Sequence, residues 1–153
     1  MAEAIVVRPI LPEDRAEWAV LWDGYNAFYG RSGPTALDPA VTEATWTRFF
    51  DPAGPVRALV AEADGALVGL THYLFHASTT ATSPICYLSD LFTSEAARGR
   101  GVGGALIEAI YAAARAAGAF RVYWQTQETN AVARSLYDKL GARTGFIVYA
   151  QAL

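Results

Sequence analysis

The sequence predicts an α/β protein built on a mixed sheet, and three observations support that class. Runs rich in Val, Ile and aromatic residues alternate with segments whose apolar residues recur every three or four positions. The order of elements is β-α-α-β-β-β-α-β-α-β. Adjacent strands in the first half favour antiparallel pairing, and strand–helix–strand units in the second half imply a parallel pair. With 153 residues, 53% hydrophobic and 18% charged, we expect a single domain over residues 1–153.

The first half of the chain is predicted to hold a strand, two helices and a hairpin. Pro12 suits the first turn of one helix, and Asp38 followed by Pro39 suits the start of the next. The pair Asp64-Gly65 is the strongest short hairpin signal in the chain. The predicted elements are strands over residues 4–10, 56–62 and 66–76, and helices over residues 11–30 and 38–50.

The second half is predicted to alternate strands and helices. Gly118 and Gly141 are suited to the positions just after two helices, and Asn130 is a plausible N-cap for the last one. The predicted elements are strands over residues 85–93, 119–125 and 146–150, and helices over residues 102–117 and 131–140.

Composition excludes several classes of function. A net charge of −3 provides no basic surface, which argues against nucleic acid as a partner. No stretch approaches the roughly 20 apolar residues of a membrane span. Cys86, the single cysteine, cannot form an intrachain disulfide, and the N-terminal region lacks a signal core, so we expect a cytoplasmic protein. His72 and His76 have no third ligand at suitable spacing, so we predict no metal site.

A glycine-rich loop between the strand over 85–93 and the helix over 102–117 is the main functional signal. Glycines let a ligand approach the backbone, and the free N–H groups at a helix start favour a phosphate or pyrophosphate. Two arginines add full positive charges. The residues concerned are Arg98, Gly99, Arg100, Gly101, Gly103 and Gly104.

Three nucleotide-binding motifs compete for this loop. A P-loop is excluded because no Gly-Lys-Ser/Thr occurs in the chain. The bare G-x-G-x-x-G of a Rossmann fold is present from Gly99 to Gly104. The Rossmann motif is nevertheless incomplete, because the carboxylate expected about 20 residues later is missing. The third motif fits better, because Arg98-Gly-Arg-Gly-Val-Gly103 resembles the R/Q-x-x-G-x-G/A signature of the GCN5-related N-acetyltransferases.

The resemblance implies the acetyltransferase fold, a mostly antiparallel sheet with a parallel, splayed strand pair and flanking helices. It also implies acetyl-CoA as co-substrate, with its pyrophosphate held by this loop. The loop residues implied to bind acetyl-CoA are Arg98, Gly99, Arg100, Gly101, Val102, Gly103 and Gly104. Pantetheine amides are implied to pair with the free strand edge at Leu91, Phe92 and Thr93.

A second motif of the family lies downstream, where residues 122–142 resemble its strand, Asn, and helix ending in Leu-Gly-Ala. Asn130 and Tyr137 are seven residues apart, about two helical turns, so they lie along one helix face. The resemblance implies that Asn130 helps to hold the pantetheine chain. It implies that Tyr137 sits beside the thioester sulfur and, as general acid, protonates the departing thiolate.

The acceptor side is less fully specified by the sequence. The run from Tyr87 to Phe92 resembles the Tyr-Leu-Glu-Asp-Leu-Phe/Tyr of the spermidine/spermine and thialysine acetyltransferase branch, with Ser89 in place of Glu. That departure removes the obvious base. Asp90, which matches the Asp of the motif, and Glu128 are the candidate bases, although Asp90 is as well suited to a structural role. Residues 123–130 resemble the yeast histone and polyamine acetyltransferase branch, and polyamines or amino acids fit better than a protein tail.

Aromatic residues in the first two helices are expected to cover an acceptor pocket. The substrate-binding candidates are Tyr25 and Tyr29 of the first helix and Ser89 and Asp90 of the strand over 85–93. The leading hypothesis is direct transfer of an acetyl group to a small primary amine in a ternary complex. The alternatives are a CoA-binding regulatory module without turnover and an acetyltransferase for a peptide amine. The aromatic content and an apolar C-terminal strand predict a homodimer.

Overall fold

The computed structural model describes residues 4–153 and contains one five-stranded sheet. The strands lie in the order β1-β2-β3-β4-β5, antiparallel except for the parallel pair β4 and β5. The strands are β1 (Val6–Pro9), β2 (Val56–Ala63), β3 (Ala66–His76), β4 (Ile85–Thr93) and β5 (Val122–Tyr123). The helices are α1 (Arg15–Phe28), α2 (Pro39–Phe49), α3 (Val102–Ala116) and α4 (Ala131–Leu140). The predicted mixed α/β class is confirmed.

Local signals in the sequence place most of these boundaries. Asp64 and Gly65 both adopt positive φ, at 54° and 76°, which is the geometry of a tight two-residue hairpin turn. The Asp38 side chain accepts a hydrogen bond from the Ala40 N–H at 2.9 Å and caps α2. The Asn130 Oδ1 atom accepts from the Ala133 N–H and caps α4 in the same way.

The core is divided between the two faces of the sheet because alternate strand residues point to opposite sides. On one face, Leu59 and Ala61 of β2 pack with α3. On the other face, Ala58 and Val60 pack with α1 and α2. The three helices are thereby held against the central strands, close to where β4 ends.

Cys86 lies fully buried in β4. Burial raises the pKa of its thiol to about 11, so the thiolate is scarce at neutral pH. Cys86 is therefore a buried core residue and not a reactive thiol. None of the helices in residues 4–153 is long and apolar enough to cross a membrane.

Two predicted strands differ from the structure. The strand expected over 119–125 is reduced to Val122–Tyr123, and residues 146–150 form no strand at all. Phe146 and Tyr149 are 89% and 88% exposed, so the segment contacts little of the described chain. A strand requires a hydrogen-bonded neighbour, and no second strand lies on the outer side of β5 within residues 4–153.

Candidate active site

The glycine-rich loop forms an open cradle of backbone at the start of α3. Gly99 and Gly101 adopt φ of 78° and 83°, a left-handed region that favours glycine, and Gly101 is the N-cap of α3. A Cβ added at either glycine would meet no heavy atom within 4 Å. The space above the loop is therefore open, and the first N–H groups of α3 have no partner within the helix. The cradle fits a pyrophosphate group.

The two arginines of the loop are directed differently. The Arg98 Nε–H lies 3.4 Å from the Thr93 carbonyl oxygen, and its guanidinium lies 5.9 Å from the centre of the Phe92 ring. Arg100 forms a 3.6 Å ion pair with Asp64 in the hairpin turn. Arg98 is thus held at the end of β4, whereas Arg100 reaches across to the β2–β3 turn.

A free backbone edge runs along the second half of β4. Its parallel pairing with β5 involves only Cys86 with Val122 and Tyr87 with Tyr123. Beyond these pairs the two strands separate, while the other edge of β4 stays paired with β3 as far as Thr93. The predicted splay is therefore present, and residues 91–93 are available for strand-like pairing with an extended ligand.

Helix α4 brings Tyr137 close to the loop. A Cβ on Gly103 would lie 3.1 Å from Leu136, so α4 packs directly on the first turn of α3. The Tyr137 ring packs edge-on against Trp124 at 5.5 Å, and its hydroxyl has no hydrogen-bond partner among the described residues. Burial, with a smaller contribution from Tyr29, raises the pKa of Tyr137 above its ordinary value. The phenol stays protonated at neutral pH.

A cavity of about 180 Å³ lies on the face of the sheet that α1 and α2 cover, which is opposite the face covered by α3. Asp90 and Ser89 of β4, His72 of β3 and Arg48 of α2 contribute to its lining. The register of β3 and β4 shifts here, pairing His72 with Asp90 and Tyr73 with Leu88, so Ser89 is the extra residue of a β-bulge. The bulge brings two consecutive residues of β4 to the cavity.

Asp90 is the polar centre of this cavity. Its Oδ2 atom lies 2.8 Å from His72 Nδ1, and its side chain is 17% exposed. Tyr25 lies nearby. Burial raises the pKa of Tyr25, and the negative charge of Asp90 adds to the effect. The Tyr25 and Tyr29 ring centres are 5.0 Å apart, with Tyr25 buried and Tyr29 exposed. Of the four predicted substrate-binding residues, Ser89 and Asp90 line the cavity, whereas Tyr25 and Tyr29 lie beside it and are not part of its lining.

Glu128 is not brought to the cavity. Its Oε1 accepts a hydrogen bond from Arg143 at 3.1 Å, and its side chain is 76% exposed. Within residues 4–153, no three His, Cys, Asp or Glu side chains are grouped closely enough to bind a metal ion. The titratable carboxylate of the cavity lining is Asp90.

Two residues of this region are not predicted from the sequence. The sequence presents His72 only as a possible metal ligand, because its contact with Asp90 depends on a strand register that the bulge shifts. Arg48 carries no signal in the sequence, because an exposed arginine near the end of a helix is common. Its side chain makes no hydrogen bond or ion pair with the described residues. In the structure Arg48 lies about one turn after Thr45, and both residues line the cavity.

Comparison with known families identifies the class of protein. A family model for the acetyltransferase (GNAT) family matches residues 18–142, a span that contains the loop, the free edge of β4 and α4. The chain belongs to the GNAT family of acetyltransferases, and it is an N-acetyltransferase, transferring an acetyl group to an amine.

Individual relatives agree with this assignment. The D-amino-acid N-acetyltransferase HPA3 of Saccharomyces cerevisiae is 35% identical over 149 residues, covering 96% of this chain and 90% of the yeast protein. The uncharacterized N-acetyltransferase YhfO of Bacillus subtilis is 32% identical over 145 residues, covering 94% of each. The structure of an aminoglycoside acetyltransferase, HMB0005, from an uncultured soil metagenomic sample superposes with a TM-score of 0.82 at 23% identity, covering 98% of this chain and 99% of that one. That similarity shows the shared fold.

Proposed function

We propose that this protein is an acetyl-CoA-dependent N-acetyltransferase for small primary amines, and that its preferred acceptor is an amino acid. One observation carries the choice: Asp90 and Arg48 line the same cavity of about 180 Å³. An amino acid presents an ammonium and a carboxylate, which suit an aspartate and an arginine respectively. A polyamine presents positive charges alone, and Arg48 would repel them. The activity named for the yeast relative, on D-amino acids, supports the same choice.

In this proposal residues 1–153 act as one acetyltransferase domain, and the two sides of β4 hold the two substrates. Acetyl-CoA supplies the activated acetyl group as a thioester. The loop N–H groups and Arg98 bind its pyrophosphate, with Arg100 beside them. Asn130 and the β4 edge hold the pantetheine chain. The full set assigned to acetyl-CoA is Leu91, Phe92, Thr93, Arg98, Gly99, Arg100, Gly101, Val102, Gly103, Gly104, Asn130 and Tyr137. No metal takes part.

The chemistry assigned to the chain is proton transfer at two places. Asp90 binds the acceptor ammonium and takes its proton, which frees the lone pair of the nitrogen for attack. As the new C–N bond forms and the C–S bond breaks, the nitrogen loses its second proton to solvent, and Tyr137 gives its own proton to the leaving sulfur and is reprotonated from solvent. Ser89 lines the acceptor cavity, and Tyr25 and Tyr29 are assigned to contact the acceptor from beside it. Glu128 remains an alternative base, but its carboxylate would first have to leave the ion pair with Arg143.

The Arg48→Gln variant tests the acceptor class. Loss of one charge-assisted hydrogen bond to a carboxylate should raise KM for an amino acid roughly 10-fold to 100-fold. The corresponding amino acid amide, which lacks the carboxylate, should show no such change. Lys139→Gln, which removes an exposed positive charge on α4 away from both cavities, is the matched control. An equal effect on the acid and the amide would contradict the carboxylate assignment, and absence of turnover with every amine would contradict the enzyme assignment.

We also propose a homodimer formed through the C-terminal segment, residues 146–150. Phe146 and Tyr149 would point to opposite sides of an extended strand, and both are exposed, so the segment does not lie on its own chain. The outer edge of β5 has no partner strand among the described residues. Beside it is a cavity of about 200 Å³ lined by Phe120 and Val122. A free strand and a free edge in the same chain are self-complementary, which supports pairing between two copies.

Light scattering tests the dimer. We expect a particle of twice the 16.4 kDa chain mass, and a monomer after Ile147→Lys. Val132→Lys, which changes an exposed residue of α4, is the control and should leave the mass unchanged. A monomeric native chain would exclude the arrangement.

A cytoplasmic location is proposed from the lone, buried Cys86, since the fold then needs no oxidising compartment.

A further inference from the structure

A buried row of three side chains ends at the acceptor cavity. Trp18 of α1 is fully buried, and its indole N–H donates to His72 Nε2 at 3.1 Å. His72, only 2% exposed, contacts Asp90 Oδ2 through Nδ1 at 2.8 Å. His72 and Asp90 both line the cavity, and Asp90 is the most exposed of the three, with 17% of its side chain accessible. The row therefore connects the core to the carboxylate that faces the acceptor.

The two contacts of His72 determine where its proton lies. An indole N–H is a donor only, so the nitrogen facing Trp18 must accept and carries no proton. A neutral imidazole has one N–H, which is then on Nδ1 and donates to the Asp90 carboxylate. An imidazolium would place a second N–H against the indole N–H. The neutral Nδ1–H form is the one that satisfies both neighbours.

Packing holds the ring in this orientation. The imidazole centre lies 5.0 Å from the Trp22 ring and 4.6 Å from the Phe49 ring. The groups against the ring are thus Trp18 and Trp22 from α1, Phe49 from α2 and Asp90 from β4, and Asp90 is the titratable one among them. Rotation of the ring would break two hydrogen bonds in a buried environment, at a cost comparable to leaving buried polar groups unpaired.

We propose that His72 is a positioning residue for Asp90, and the inference rests on the acceptor role given to Asp90 above. The Nδ1–H holds one carboxylate oxygen and fixes the side-chain rotamer, so that the carboxylate stays directed at the cavity, where Tyr25 is its other neighbour. His72 is not itself the base, because both of its nitrogens are occupied. A proton taken from the ammonium stays on Asp90 or leaves to solvent, and it does not pass into the core.

Two substitutions separate this role from simple space filling. The amide nitrogen of Asn at position 72 lies near the place of Nδ1, whereas that of Gln lies near the place of Nε2, so only His72→Asn keeps a donor for Asp90. We expect His72→Gln to lower kcat/KM for the amine roughly 10-fold to 100-fold. The His72→Asn variant should recover most of that loss, with acetyl-CoA affinity unchanged in both. Equal losses, or a more active Gln variant, would overturn the positioning role.

A spectroscopic measurement tests the tautomer without any substitution at His72. The chain contains two histidines, so ring ¹⁵N spectra are simple, and a His76→Gln variant assigns the remaining signals. We expect the neutral ring to carry its proton on Nδ1 and to leave Nε2 bare, as the contacts with Asp90 and Trp18 require. A neutral ring protonated on Nε2 would overturn the inference. Because the spectra need no turnover, this result is independent of the proposed activity.

Discussion

Replacing Tyr137 by Phe tests the assignment of the general acid with little disturbance of the structure. The substitution removes one hydroxyl group and leaves the edge-on contact with Trp124 in place. Because that hydroxyl has no hydrogen-bond partner among the described residues, the free energy of unfolding should change by less than about 0.5 kcal/mol. The backbone groups proposed to contact acetyl-CoA are unaffected, so its dissociation constant should change less than about twofold.

The Tyr137→Phe substitution is expected to lower kcat. General acid catalysis contributes typically 10²-fold to 10⁴-fold, or about 3–5 kcal/mol of transition-state stabilisation. Since burial raises the pKa of Tyr137, its phenol is present as the acid below that raised value and is lost only as the pH rises through it. The kcat of the native enzyme should therefore show no loss from this group up to about pH 10.

The assay is thiol release at saturating acetyl-CoA and amine, with calorimetry for the affinity of acetyl-CoA. Tyr149→Phe provides a matched control, because it makes the same chemical change at an exposed tyrosine outside the site. The reasoning is refuted if kcat of the Tyr137→Phe variant stays within about twofold of the native value. It is equally refuted if the loss appears in acetyl-CoA binding instead.

Three further substitutions test the loop, the core and an ion pair. Gly101→Asp should abolish acetyl-CoA binding measured by calorimetry. Gly101→Asn, whose side chain has the same size but no charge, should retain at least part of that binding. Equal affinities of the two variants for acetyl-CoA would exclude an anion site. Gly69→Ala places a Cβ 2.7 Å from a methyl group of α3 and should cost about 1–3 kcal/mol in denaturant unfolding, whereas Gly145→Ala, with open space around it, should not. Asp14→Asn should cost about 2 kcal/mol at pH 7, because two hydrogen bonds from Arg8 hold the pKa of Asp14 below its usual value. That difference should shrink as the pH falls below about 4 and Asp14 becomes protonated, and a difference independent of pH would contradict it.

The parts of the fold that could be predicted from sequence are those governed by local chemistry. The hairpin at Asp64-Gly65 requires positive φ, and the caps at Asp38 and Asn130 require a side-chain acceptor, so the residue types themselves indicate the structure. The loop at the start of α3 is local in the same sense. Its glycines and its place between a strand and a helix are visible in the sequence.

The parts that failed depend on partners distant in the chain. Residues 146–150 have the composition of a strand, but pairing needs an available edge, and composition does not specify one. The contact between His72 and Asp90 depends on a bulge that makes Ser89 the unpaired residue. A register shift of this kind exchanges which residues face the cavity, and the alternation of apolar residues does not reveal it.

The most direct test of the account is thiol release from acetyl-CoA, measured across matched amino acids, amino acid amides and polyamines. The account predicts release that depends on enzyme and amine, fastest with an amino acid and slower with its amide. Release with polyamines alone would contradict the pairing of Asp90 with Arg48 in the acceptor cavity. Tight acetyl-CoA binding with no release for any of these amines would contradict the proposed small-amine acetyltransferase.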